Sequence, residues 1–275
     1  MAYAYPGDGA PDYFPCRYGT SKLLFRGPRR TLDPPYVTTL GGTATYGKFV
    51  SDPYPALVEA ATGLQIVNLG CINAGLDVFL NDPSVLGLAA KARISVVQIT
   101  GAPNLTNRFY TVHPRRNDRF LTAQPPLKAL FRDVDFTELH FTRHMLNTLK
   151  AAAPDRFEMV AEELRRTWVV RMKALLEALS GRVLLLWIAD RPPLPRTAQP
   201  DLDTDPVLVD CDMIAEVRPM AWDFLAVVSS PEALASGVQG MAYGPMEGPA
   251  ARLVPGPAIH HEVAAALAPR LLQVL

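Results

Sequence analysis

Thr43, Asn104 and His260 are the side chains of this sequence whose types and placement could carry acyl chemistry. A hydroxyl held on a turn between a strand and a helix can attack an acyl carbonyl once a base takes its proton. An imidazole supplies such a base near neutral pH, and a side-chain amide can donate to the oxygen on which negative charge develops. Thr43 lies in GGTATYG, residues 41–47; Asn104 closes GAPN, residues 101–104; His260 stands where the last helix is expected to begin. Gly42, Gly70, Asn73 and Gly75 belong to the glycine-rich turns 41–47 and 70–75 and are candidate ligand contacts. Each residue also has a plain structural reading. The Thr43 hydroxyl can bond local backbone, Asn104 can cap its turn, His260 can sit at a helix start, and glycine after a strand is common on steric grounds. Thr45 and His261 are the second choices for hydroxyl and base.

Between Asn107 and Phe120 lie Arg108, His113, Arg115, Arg116 and Arg119, against the single acid Asp118. The guanidinium fork matches carboxylate, phosphate or sulfate oxygens and stays charged at ordinary pH. Arg108, His113, Arg115 and Arg116 are therefore expected to contact a small anionic or anion-bearing ligand, with Arg115 and Arg116 preferred. The alternative is a solvated basic loop paired with acids elsewhere. Over the whole chain 27 Lys and Arg balance 27 Asp and Glu, which argues against a broad nucleic-acid surface. His140 and His144 are four apart, with Glu138 nearby, but a further ligand is undefined and no metal is expected. Without a P-loop or Rossmann phosphate loop, no cofactor is expected either.

These residues need a scaffold. Strands are expected at 36–40, 65–69, 94–100, 182–189 and 224–228, from short apolar runs closed by turn residues. Helical patterns separate them: 54–61 after Asp52-Pro53, 76–91 with a break near Pro83, 136–150, 155–179, a short one within 206–217, and one from His260 to the C-terminus. Asp155 and Glu158 have capping-box spacing, and Phe157, Val160, Leu164, Trp168, Met172, Leu175 and Leu179 make one apolar stripe. Residues 105–135 show no period and read as a long loop, as does 190–206 with its five prolines. Alternating strands and helices predict an α/β fold with a mostly parallel sheet, whose ligands sit beyond the carboxyl ends of the strands. The proline-rich residues 1–35 are expected to be an arm packed on a single domain, 36–275. No basic and apolar leader opens the chain, the apolar run 183–189 is too short to span a bilayer, and three scattered cysteines fit a reducing compartment. A cytoplasmic protein with no membrane partner is the expectation, and a homodimer is left open because no heptad requires one.

The order of these blocks resembles the SGNH, or GDSL-like, hydrolase superfamily. Gly41-Gly42-Thr43 matches its Gly-Asp-Ser nucleophile block, NLGCINAG (68–75) matches its second block with Gly70 or Gly75 as backbone donor, and Gly101-Ala102-Pro103-Asn104 matches its oxyanion Asn. The family's histidine precedes the last helix, as His260 and His261 do. The resemblance covers about residues 36–272 and implies a flavodoxin-like three-layer α/β/α sandwich, five parallel strands in the order 2-1-3-4-5, and acyl-ester hydrolysis or acyl transfer. It is nearest to an uncharacterised bacterial branch marked by GGTATYGKFV, NLGCINAG and NRFYTVHPRRNDRF. Gly42 departs from the family's Asp and Thr43 from its Ser, and Pro257 and Ala258 stand three residues before the two histidines, where the family has Asp. Two readings follow: an acyl-ester hydrolase or acyltransferase for an anion-bearing substrate, or a noncatalytic anionic-ligand-binding protein on a degenerate SGNH-like scaffold.

Overall fold

The computed structural model describes residue 9 and residues 11–33, 35–196 and 200–273. Residues 1–8, 10 and 34 of the expected arm, 197–199 of the 190–206 loop and 274–275 of the terminal helix lie outside the described residues. The strands are β1 (Val37–Gly41), β2 (Ile66–Gly70), β3 (Ile94–Gln98), β4 (Tyr110–His113), β5 (Arg116–Ala123), β6 (Val183–Ala189) and β7 (Asp223–Val228). Five of them form one sheet in the order β2-β1-β3-β6-β7, with every pair parallel. Counting only these five, the order is the expected 2-1-3-4-5.

Both faces of the sheet are buried, so β6 reads as continuous apolar sequence rather than as an alternation. Its side chains nevertheless divide by the period of two. Val183, Leu185 and Trp187 join the core beneath the Pro154–Leu179 helix, while Leu184, Leu186 and Ile188 join the core beneath the Pro257–Leu272 helix. The result is a three-layer α/β/α sandwich. The apolar stripe of the long helix is the buried one, and Trp168 at its centre donates its indole N–H to the Thr100 carbonyl at 2.8 Å. Among the described residues, no helix is long and apolar enough to cross a membrane.

One local expectation holds and two change. The 76–91 segment is broken just before Pro83, into the helices Asp77–Leu80 and Pro83–Ala90. Asp82 caps the second by accepting from Ser84 N and Val85 N, both at 3.1 Å, and also takes the Ser21 hydroxyl at 2.6 Å. Asp82→Ala is expected to lower stability by about 1–2 kcal/mol, measured by urea unfolding, and a loss of under ~0.3 kcal/mol would mean that water replaces the cap. The capping box at Asp155 does not form. The helix begins one residue earlier at Pro154, and Glu158 turns instead to the buried Arg165, 3.1 Å away. Residues 105–135 are no loop: β4 and β5 make an antiparallel hairpin, and Pro125–Leu130 is a helix. The buried residues of the hairpin are Tyr110, Val112, Asn117, Phe120 and Ala123, and the register shifts around Val112, which blurs the alternation.

The described part of the segment before β1 is anchored by aromatic side chains and one arginine. Tyr18, Leu23 and Phe25 enter the core, and Cys16 and Phe25 exchange backbone bonds. Buried Arg26 donates to the carbonyls of Gly47 and Ser51, both at 2.6 Å, and so ties this segment to the turn after β1.

Candidate functional site

β1 ends at Gly41, and the chain turns at once into one helical turn, Thr43–Tyr46, closed by Gly47 at φ +73°. A side chain at Gly41 would collide with Thr45 and Gln98, so only glycine lets this turn lie so close to β3. Gln98, the last residue of β3, is the clasp. Its Oε1 accepts from Gly42 N at 3.0 Å, Thr45 N at 3.3 Å and Thr45 Oγ1 at 2.7 Å. Thr45 is fully buried and also meets the Tyr54 hydroxyl at 2.9 Å, so its hydroxyl belongs to the scaffold.

Beyond the carboxyl ends of β1 and β3 lies a cavity of about 450 Å³. Gly42, Thr43, Asn73 and Asn104 all line it, although they come from three separate turns. Asn73, at φ +56°, is the hub. Its backbone N–H donates to Thr43 Oγ1 at 3.0 Å, and Thr43 Oγ1 donates back to Asn73 Oδ1 at 3.1 Å. Its Nδ2 donates to Asp118 Oδ2 at 3.1 Å, and its carbonyl accepts from Asn104 Nδ2 at 3.1 Å. Asn104 Oδ1 in turn accepts from the Thr142 hydroxyl at 2.7 Å. The side chains expected to meet a ligand therefore meet one another.

Gly70 and Gly75 do not line the cavity; they hold its wall. Gly70 N donates to Asn68 Oδ1 at 2.8 Å, and Gly75 N donates to Asn117 Oδ1 at 3.0 Å. Any side chain at Gly75 would strike the Asn104 backbone, so that glycine permits the 70–75 and 101–104 turns to touch.

His260 is not among the residues that line the cavity with Thr43. It lies in the Pro257–Leu272 helix, 2% exposed, stacked on Tyr54 with ring centroids 6.0 Å apart. Its Nδ1 accepts from Tyr54 N at 3.0 Å, so the neutral ring carries its proton on Nε2. Burial, with the charges of Arg26 and His261 adding to it, pushes its pKa down to about 3. Its occupied Nδ1 and the Tyr54 ring stacked on it tie His260 into the packing between the Tyr54–Thr62 and Pro257–Leu272 helices. The chain just before that helix does reach the cavity, but with Leu253, Val254 and Pro255.

Arg108, His113, Arg115 and Arg116 are not among this cavity's lining residues. Arg108 pairs with buried Glu163 at 3.1 Å, and Arg115 is an exposed residue of the hairpin turn whose N–H donates to His113 Nδ1 at 3.2 Å. Arg116 is on β5. The hairpin that carries His113, Arg115 and Arg116 was unforeseen in the sequence. His140 precedes the Thr142–Ala152 helix that holds His144, so the two do not share a helical face, and no metal-binding cluster occurs among the described residues.

The charged groups that do line the cavity are Lys48, Asp118, Arg143 and Asp205. Arg143 and Asp205 form an ion pair at 3.0 Å, joining the Thr142–Ala152 helix to the loop before Pro206. Of these and the clasp, Gln98 had a usable signal, being a polar residue at the carboxyl end of an otherwise buried strand. The others lie in segments without periodicity.

The model of a family described as Domain of unknown function (DUF6473) matches residues 1–275. No curated protein sequence matches the chain. Among solved structures, the crystal structure of the lipase Lip_vut3 from goat rumen metagenome is similar at 11% identity and a TM-score of 0.43, covering 85% of this chain and 97% of that one. BT4096, a gut microbial diltiazem-metabolizing enzyme, is similar at 12% identity and a TM-score of 0.40, and covers 85% of this chain. This chain spans 46% of that protein's length.

Proposed function

The chain belongs to the DUF6473 family, and we propose that it is a small-molecule-binding protein whose strand-end cavity recognises its ligand without attacking it. One observation carries this reading. The Thr43 hydroxyl and the amide expected to stabilise an oxyanion are already joined through Asn73, and no imidazole lines the cavity among the described residues. Acyl transfer needs a base at the hydroxyl and donors left for the developing oxyanion. Here the hydroxyl proton points at an amide oxygen, which is too weak a base to accept it, and Gly42 N is held by Gln98. Thr43, Asn73, Asp118 and Thr142 offer a polar wall, and Ile188, Val254 and Leu253 an apolar one. That division is typical of sites that orient a ligand by a few polar groups and hold it by apolar contact.

The acyl-ester hydrolase or acyltransferase reading keeps one observation in its favour: Thr43 is a hydroxyl residue facing the cavity on a strand-to-helix turn. A panel of p-nitrophenyl and thioester substrates separates the two. Wild type and Thr43→Ala are expected to turn over each ester at the same rate, within about twofold of background hydrolysis. A loss of about 100-fold or more in Thr43→Ala, at unchanged thermal stability, would establish catalysis and overturn the binding reading.

A further inference from the structure

The cavity's charges do not cancel in the same way. Arg143 and Asp205 hold each other at 3.0 Å, and Asp118 accepts the Asn73 amide. Lys48 is different. It follows the hydroxyl turn directly, its side chain is only 23% exposed, and its ion pair with Glu247 is stretched to 3.9 Å. Its ammonium lies 4.3 Å from the centroid of the Phe49 ring, another residue of the cavity wall. A primary ammonium has three donors, and a ring face with one distant carboxylate leaves most of that capacity unused. The cavity also holds large apolar side chains in contact with water: Leu253 is 75% exposed and Phe141 is 41% exposed.

We propose that Lys48 is an anion subsite of this cavity and that the ligand is a small organic anion, one anionic head group on an apolar body. This rests on the ligand-binding reading above. The head group, carboxylate or phosphate, takes the Lys48 ammonium, which as a point charge does not discriminate between their geometries. The body lies against Leu253 and Phe141, whose exposed apolar surface in the cavity wall otherwise stays wet, while Phe49 is buried behind the Lys48 ammonium. A single head group is favoured because Arg143, the other cation of the wall, is already neutralised by Asp205. Burial lowers the pKa of Lys48 despite the opposing pull of Glu247, the mark of an ammonium short of the solvation that an anion would restore. The arginines of the hairpin are not required.

The probes are 3-phenylpropionate, phenyl phosphate, the neutral 3-phenylpropanol and inorganic phosphate, titrated by calorimetry into the full chain. Wild type is compared with Lys48→Met, Lys48→Arg and Arg115→Ala, each first checked for an unchanged thermal midpoint. Both aryl anions are expected to bind at least about tenfold tighter than the alcohol, and inorganic phosphate more weakly than phenyl phosphate. Lys48→Met should remove that preference and leave the alcohol's affinity alone, Lys48→Arg should keep part of it, and Arg115→Ala should change nothing. Anion affinities that survive Lys48→Met, or that fall in Arg115→Ala, overturn the subsite. Equal binding of inorganic and phenyl phosphate overturns the apolar body. If the alcohol binds as well as the anions in every variant, the anion subsite fails while the cavity remains a binding site. If no probe binds at millimolar concentration, both readings fail together.

Discussion

Asn117→Ala is expected to cost about 3–5 kcal/mol of unfolding free energy, near the top of the range for a single substitution. Asn117 is completely buried on β5. Its Oδ1 accepts from Gly75 N at 3.0 Å and Val78 N at 3.2 Å, and its Nδ2 donates to the His113 carbonyl at 3.0 Å. Alanine leaves two buried N–H groups, of Gly75 and Val78, unpaired at about 1–3 kcal/mol apiece before relaxation, and also frees the part-buried His113 carbonyl. The same bonds fix the 70–75 turn, so the damage reaches the cavity wall. Urea unfolding should show a lower midpoint at an unchanged slope, and amide hydrogen exchange should show Gly75 and Val78 losing protection. Arg115→Ala, two residues away on the exposed turn, should fall within about 0.5 kcal/mol of wild type. A loss below ~1 kcal/mol in Asn117→Ala would mean that water enters and satisfies those groups, and that the side chain does not hold the turn.

Acid should destabilise the fold through His260, beginning well above the range in which carboxylates titrate. In the unfolded chain the imidazole protonates near the ordinary 6.5, whereas in the folded protein burial pushes that down to about 3. Between these two values the unfolded state binds the extra proton, so stability rises with pH and is lost as pH falls from about 6.5 towards 3. From pH 7 to pH 5 the loss from this one group is about 2 kcal/mol, with little further contribution below its folded pKa. His260→Asn keeps a side-chain acceptor for Tyr54 N and cannot titrate. Its unfolding free energy should be lower than wild type at pH 7, from the poorer fill, yet flatter between pH 7 and 5. Parallel slopes for wild type and His260→Asn would show that the imidazole is not buried neutral. A general base poised at a cavity would give a different signature, a titration near neutrality seen in ligand binding or turnover.

The strands expected at 36–40 and 182–189, observed at 37–41 and 183–189, were legible because each is a short β-prone run closed by turn residues. The Asp52-Pro53 start of the Tyr54–Thr62 helix was equally local, since a helix start is a property of a few neighbouring residues. Strand order came from the resemblance rather than from periodicity, which carries no record of which strand lies beside which. The hairpin was lost for a related reason. Its buried positions are too few and its register too irregular to show an alternation, and charged residues on the open face dominated the reading.

The sequence by itself determined the five strands of the parallel sheet, the glycines that let turns approach one another, and the presence of Thr43, Asn73 and Asn104 at strand ends. Only the tertiary structure decided which polar groups meet: Thr43 with Asn73 across 30 residues, Thr142 with Asn104 across 38, and Tyr54 with His260 across 206. The physical reason is the range of the forces involved. Backbone dihedral preference and side-chain period act over one or two turns, so they can be read along the chain. A hydrogen bond between distant residues exists only after the two cores on either side of the sheet have packed, and that packing placed His260 against Tyr54 while bringing Lys48 to the cavity.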